Sequence, residues 1–121
     1  MSVEIWHNPR CSKSRQTLAL LEQHKIAVQV VCYLETPPTR AQLERAHHLL
    51  NLPVLSMIRS KDPLFRTLGL SKTSSEKILL HALENNPSLI ERPIVLTENG
   101  AAIGRPPEAI LPLLDLPLPH S

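Results

Sequence analysis

The run Val28–Leu34, VQVVCYL, constrains this chain more than any other stretch. It is continuous and β-branched, the pattern of a strand buried on both faces. Upstream, Val3–Trp6 is a second short strand candidate, broken by Asn8-Pro9. Between the two, a helical pattern runs from about Ser12 to His24, with Leu18, Ala19, Leu20 and Leu21 on its apolar side. Strand, helix and strand inside about thirty residues predict a right-handed parallel βαβ unit.

The segment ETPPT ends that unit. Thr39 with Gln42 three residues on is a capping box, and Leu43, Ala46 and Leu50 then share one helix face. VLSMIRS around Arg59 and LFRTLG around Phe65 read as short helices, the second closed by Gly69. Thr73 with Glu76 reads as another capping box, ahead of Ile78, Leu79, Ala82 and Leu83, and Asn86-Pro87 stops that helix. Residues 39–86 are therefore expected to be all-helical. Ile94–Leu96 and Ala101–Ile103 are strand candidates flanking Asn99-Gly100, a type I′ hairpin signal. A last helix is expected from Pro106-Pro107, limited by Pro112, with DLPLPHS as a loose tail. The predicted order is β-α-β, a helical block, a β-β hairpin and a helix. It is the order of an α/β thioredoxin-like mixed sheet flanked by helices, with an all-helical insertion, in one domain over 1–121.

The 121 residues suffice for one core, and it must be aliphatic, because Trp6, Tyr33 and Phe65 are the only aromatic rings. A formal charge of +2 is too mild to argue for nucleic acid or an anionic membrane. The first residues show no signal-peptide pattern, and no apolar run approaches the ~20 residues of a membrane span. Two cysteines make no disulfide framework. A soluble cytoplasmic monomer with reduced thiols is expected.

The chemistry-bearing stretch is HNPRCSKSRQTL, residues 7–18. A cysteine just before a helix meets unpaired backbone N–H groups and the positive end of the helix dipole. Both favour thiolate over thiol, and the same N–H groups hold an anion. Cys11 is thus the candidate nucleophile rather than an inert corner residue. Ser14 stands where a Cys-x-x-Cys motif has its resolving cysteine, and Ser12 or Ser14 is free to cap the helix or bond the thiolate. Cys32, in the buried strand pattern, is the sole internal thiol partner. A phosphatase loop needs Arg six residues after the cysteine, but position 17 is Thr. His7, four residues before Cys11, is a candidate to tune the thiol. His47 and His48 point to different helix faces, so no metal site is indicated. Arg59, Arg92 and Arg105 stand apart by context: Arg92-Pro93 precedes a strand and Arg105-Pro106 follows one. Planar guanidinium donors suit a doubly charged oxyanion.

These motifs resemble the glutaredoxin-coupled arsenate reductase family over nearly the whole chain. The matching text is Trp6-His7-Asn8-Pro9, Cys11, Ser14-Arg15, YLETPPTR at 33–40, ERPIV at 91–95 and GRPPE at 104–108. The resemblance implies that Cys11 attacks arsenate, held by Arg59, Arg92 and Arg105 with Ser14 beside it. It also implies His7 near the thiol, Pro93 as a cis-proline, glutathione as co-substrate with no tightly bound cofactor, and glutaredoxin as partner. Well-known members follow the cysteine with Gly-Thr-Ser. Ser12-Lys13-Ser14 here is similar to a subgroup described as arsenate-reductase-related, and places an added cation, Lys13, beside the thiol.

Two other functions compete. One is a thiol oxidoreductase acting on a glutathione mixed disulfide or another electrophile. The other is a regulator binding RNA polymerase, whose relatives typically carry the Cys-x-x-Cys switch absent here.

Overall fold

The chain was analysed as a computed structural model that describes residues 2–114; the expected tail, 115–121, lies outside the described residues. It divides into two compact units, one from residues 1–33 and 92–121, the other from 34–91.

In the first unit, β1 (Val3–His7), α1 (Ser12–Gln23) and β2 (Val28–Cys32) make the βαβ element. β1 and β2 run parallel, in register from Val3↔Val28 to His7↔Cys32. β3 (Ile94–Leu96) joins the other side of β1 antiparallel, and β4 (Ala101–Ile103) pairs with β3, giving the order β2-β1-β3-β4. One sheet face carries Val3, Ile5 and Val95, which pack with Leu21 of α1 and with Ile110, Leu111 and Leu114. His7 has the same parity on β1, so it faces α1 at the strand's end. α1 closes with Lys25 in the left-handed region (φ 58°), where the N–H of Lys25 donates to Glu22 O and that of Ile26 to Leu21 O.

Several sequence expectations need correcting here. β2 is an edge strand, not a buried one: Gln29 and Val30 are exposed, and Cys32 is part-exposed. Its β-branched run supports pairing to β1 on one side only. The hairpin forms, but no residue from 97 to 100 has positive φ, so the turn is not type I′. The Thr97 hydroxyl organises it instead, accepting from the N–H groups of Asn99 and Gly100 at 3.2 and 3.1 Å. Residues Pro107–Leu114 form a 3-10 helix that runs through Pro112. Its apolar side buries Ile110, Leu111 and Leu114 on the sheet.

The second unit holds α2 (Arg40–Leu50), α3 (Pro63–Thr67) and α4 (Glu76–Asn85). The Thr39–Gln42 capping box is present in both directions, at 3.1 and 2.8 Å. Leu43, Ala46 and Leu50 are buried as expected, and Gly69 (φ 74°) ends the α3 region. VLSMIRS is helical only as a 3-10 turn over Val54–Met57; Ile58 leaves it in extended backbone and bridges to Ile90. α4 is capped by Ser75, which accepts from the Ile78 N–H at 3.2 Å, rather than by Thr73. Thr73 turns its hydroxyl to Ser71, 3.0 Å away. Among the described residues, no helix is long and apolar enough to cross a membrane.

Candidate functional site

Cys11 occupies the N-cap position of α1 in extended backbone (φ −93°, ψ 123°), and its side chain caps nothing. A turn delivers it there: the Cys11 N–H donates to Asn8 O at 3.0 Å, and Asn8 Oδ1 accepts from the Arg10 N–H at 3.0 Å. Asn-Pro favours this kind of turn because the Asn side chain bonds its own backbone two residues on. The first turn of α1 holds no acidic residue. Nothing there neutralises the positive end of the helix, which is left to the sulfur.

Burial pushes the half-buried thiol up. The backbone N–H of Ser14, the Arg92 guanidinium and the backbone N–H of Lys13 outweigh it and hold Cys11 below its ordinary value. Arg105 completes the surround. Its Nη1 lies 3.9 Å from Cys11 Sγ and donates to the Arg92 carbonyl oxygen at 3.1 Å. That second bond fixes one arginine to the backbone of the other. The Arg92-Pro93 and Arg105-Pro106 bonds are both cis; the first was implied by the family resemblance, the second was not foreseen.

His7 and Ser14 form a second layer. Both are buried, and His7 Nδ1 lies 2.7 Å from Ser14 Oγ. Ser14 Oγ also accepts from the Asn8 N–H at 3.0 Å. Its hydroxyl is thus committed inside the fold, and it is the Ser14 backbone N–H that faces the sulfur. Desolvation and, secondly, the Arg15 charge hold the His7 pKa down against the opposing pull of Glu22, so the ring is neutral near pH 7. Arg15 is tethered by Nη1 to Pro9 O at 3.0 Å.

The first unit therefore gathers Cys11, Arg92 and Arg105, with His7 and Ser14 behind the thiol. Arg59 belongs to the second unit, where its Nη1 donates to Ser88 O at 3.3 Å and pairs with Asp62 at 3.4 Å. Sequence reasoning missed the Arg105–Arg92 carbonyl tether and the buried Thr17, whose hydroxyl donates to Lys13 O at 2.8 Å. No pattern in the chain announces either, because both join segments far apart or hide a polar group on an apolar helix side. Among the described residues no three His, Cys, Asp or Glu side chains gather as metal ligands.

This arrangement makes a nucleophilic sulfur inside an anion cradle: donors around a thiolate that also suit a tetrahedral oxyanion bound to it. The chain is similar to several known proteins. The chain is 47% identical over 110 residues to an arsenate reductase of Neisseria meningitidis serogroup A, covering 89% of this chain and 94% of that one. Its fold is similar to that of an arsenate reductase from Vibrio cholerae (TM-score 0.88, 49% identity, 93% of this chain and 97% of that one). It is also similar to a putative arsenate reductase from Yersinia pestis (TM-score 0.85, 50% identity, 92% and 99%). The ArsC family model matches residues 6–113, from the end of β1 through the hairpin and nearly the whole 3-10 helix, and the chain belongs to the ArsC family.

Proposed function

We propose that this protein is an arsenate reductase coupled to glutathione and glutaredoxin. The observation that carries the reading is Cys11 at a helix N-cap with the Arg92 and Arg105 side chains at its sulfur. The Cys11 thiolate attacks arsenic and displaces one oxygen, which leaves protonated as water. Arg92, Arg105 and the first-turn N–H groups stabilise the negative charge on the remaining oxygens. The thiol of glutathione then forms a second As–S bond and displaces a second oxygen, which takes up the thiol proton and leaves as water. Formation of the Cys11–glutathione disulfide transfers two electrons, so As(V) leaves as arsenite. Glutaredoxin reduces that disulfide and restores Cys11. His7 acts through Ser14, as a positioning residue that keeps the Ser14 N–H on the sulfur. Arg59 enters this proposal as a third oxyanion donor on the family resemblance alone.

The test is arsenate-dependent NADPH oxidation with glutathione, glutaredoxin and glutathione reductase, comparing wild type with Cys11→Ser. Turnover by wild type that is lost in the variant supports the reading. A folded wild type that turns nothing over, with every coupling component shown active, contradicts it and returns the thiol to another electrophile.

A further inference from the structure

Thr17 lies one turn and a half into α1 with no exposed surface. Its Oγ1, bonded to Lys13 O, is also 3.4 Å from the carbonyl oxygen of Gly104. Gly104 follows β4, precedes Arg105, and donates its N–H to Pro93 O at 3.0 Å. Its φ is outside the left-handed region, so backbone conformation does not demand glycine there. Space does. A Cβ at 104 stands 2.9 Å from Pro93 Cγ and 3.0 Å from Thr17 Cγ2, and collides with Thr17 Oγ1. Three segments therefore close on one missing side chain. The first turn of α1 carries Cys11, the Pro93 turn carries Arg92, and the Gly104 turn carries Arg105.

We propose that Thr17 and Gly104 are positioning residues whose close approach sets the spacing of Arg92 and Arg105 from the Cys11 sulfur. The inference rests on the reading of Cys11 as the working thiol. The Thr17 hydroxyl holds the α1 backbone on one side and meets the Gly104 carbonyl on the other. Two consequences follow for the site. Widening the contact moves both arginines off the sulfur, which raises the thiol pKa, and it loosens the grip on a tetrahedral anion.

The experiment follows alkylation of Cys11 by iodoacetamide across pH, read on the Cys11 peptide by mass spectrometry, with and without arsenate. Gly104→Ala is expected to alkylate roughly threefold more slowly at pH 6, since less of the sulfur is thiolate. Roughly threefold more arsenate should be needed to protect it. Thr17→Val, which keeps the shape and deletes the hydroxyl, shifts both readings the same way by less. Val95→Ala, a buried β3 change that alters none of the contacting groups of Thr17, Pro93 and Gly104, lowers thermal stability and leaves both readings at wild type. Wild-type readings in both Gly104→Ala and Thr17→Val overturn the proposal, and so do equal shifts in Val95→Ala. If Gly104→Ala does not fold, Thr17→Val decides by the same two readings. An ordinary thiol profile in wild type itself overturns this proposal together with the function, and is told apart by needing no variant.

Discussion

The N-termini of α1 and α2 solve the same problem in opposite ways. Each leaves N–H groups without helical partners. At α2, Thr39 and Gln42 satisfy two of them reciprocally, and at α4 Ser75 accepts from Ile78 with Glu76 in the first turn. At α1 the cap is a cysteine with no capping hydroxyl or carboxylate, so the first-turn N–H groups of Lys13 and Ser14 turn to its sulfur; the first turn has no acid, and Lys13 and Arg15 bring positive charge to an already positive helix end. Local rules of helix stability are kept where the helix only has to stand and broken where it holds a thiolate. The difference shows what the site requires: vacant donors and unneutralised charge, supported by burial of Leu21 and its neighbours on the sheet.

Removing the sulfur breaks the comparison most sharply. Cys11→Ser should abolish arsenate-dependent turnover, yet serine is a good N-cap, so denaturant unfolding should show equal or greater stability, by up to about 1 kcal/mol. A strongly destabilised variant would mean that the thiol serves packing. Arg92→Ala comes next: arsenate affinity, measured by protection of Cys11, should fall by about 1–3 kcal/mol, the worth of a charged hydrogen bond. An unchanged isotherm removes Arg92 from the site. Thr39→Ala is the mirror experiment. It should cost about 1 kcal/mol of stability and leave the Cys11 titration untouched; a shifted thiol would tie the two helix starts together.

The smallest effect is a pH slope. The His7 pKa is below 6.5 in the folded chain, so below that pH the unfolded chain binds more protons. Stability contributed by His7 is therefore complete above pH 6.5 and falls with acidification through the window beneath it. His7→Gln should flatten that part of the stability–pH curve. The same steepness in wild type and variant would show that the ring is not held neutral.

The βαβ unit, the hairpin partners and the helical block were legible because hydrophobic period and capping residues act locally. What failed had non-local causes. The Val28–Val31 run reads as buried whether or not a neighbour strand exists on its outer side. Asn99-Gly100 signals a tight turn, but the Thr97 hydroxyl captures both N–H groups and produces a different one. In Thr73-Ser74-Ser75 the cap is chosen by where α4 packs, two residues later than the first candidate. In the site, Cys11 was legible from the turn before it and the helix after it, and Arg92 and Arg105 from their prolines. Ser14 was read as a helix cap or a hydroxyl partner for the thiolate, but its hydroxyl bonds His7 and Asn8 instead, and that long-range pairing is what leaves its backbone N–H to the sulfur. Gly104 was not legible, because the need for it is the approach of Thr17, 87 residues away in the chain.

The most direct measurement is the pH titration of the Cys11 thiolate by ultraviolet absorbance, with Cys11→Ser as the blank. The account predicts a midpoint clearly below the ordinary ~8.5 of a free cysteine, rising in Arg92→Ala. A midpoint at or above the ordinary value, unmoved by that substitution, would contradict it.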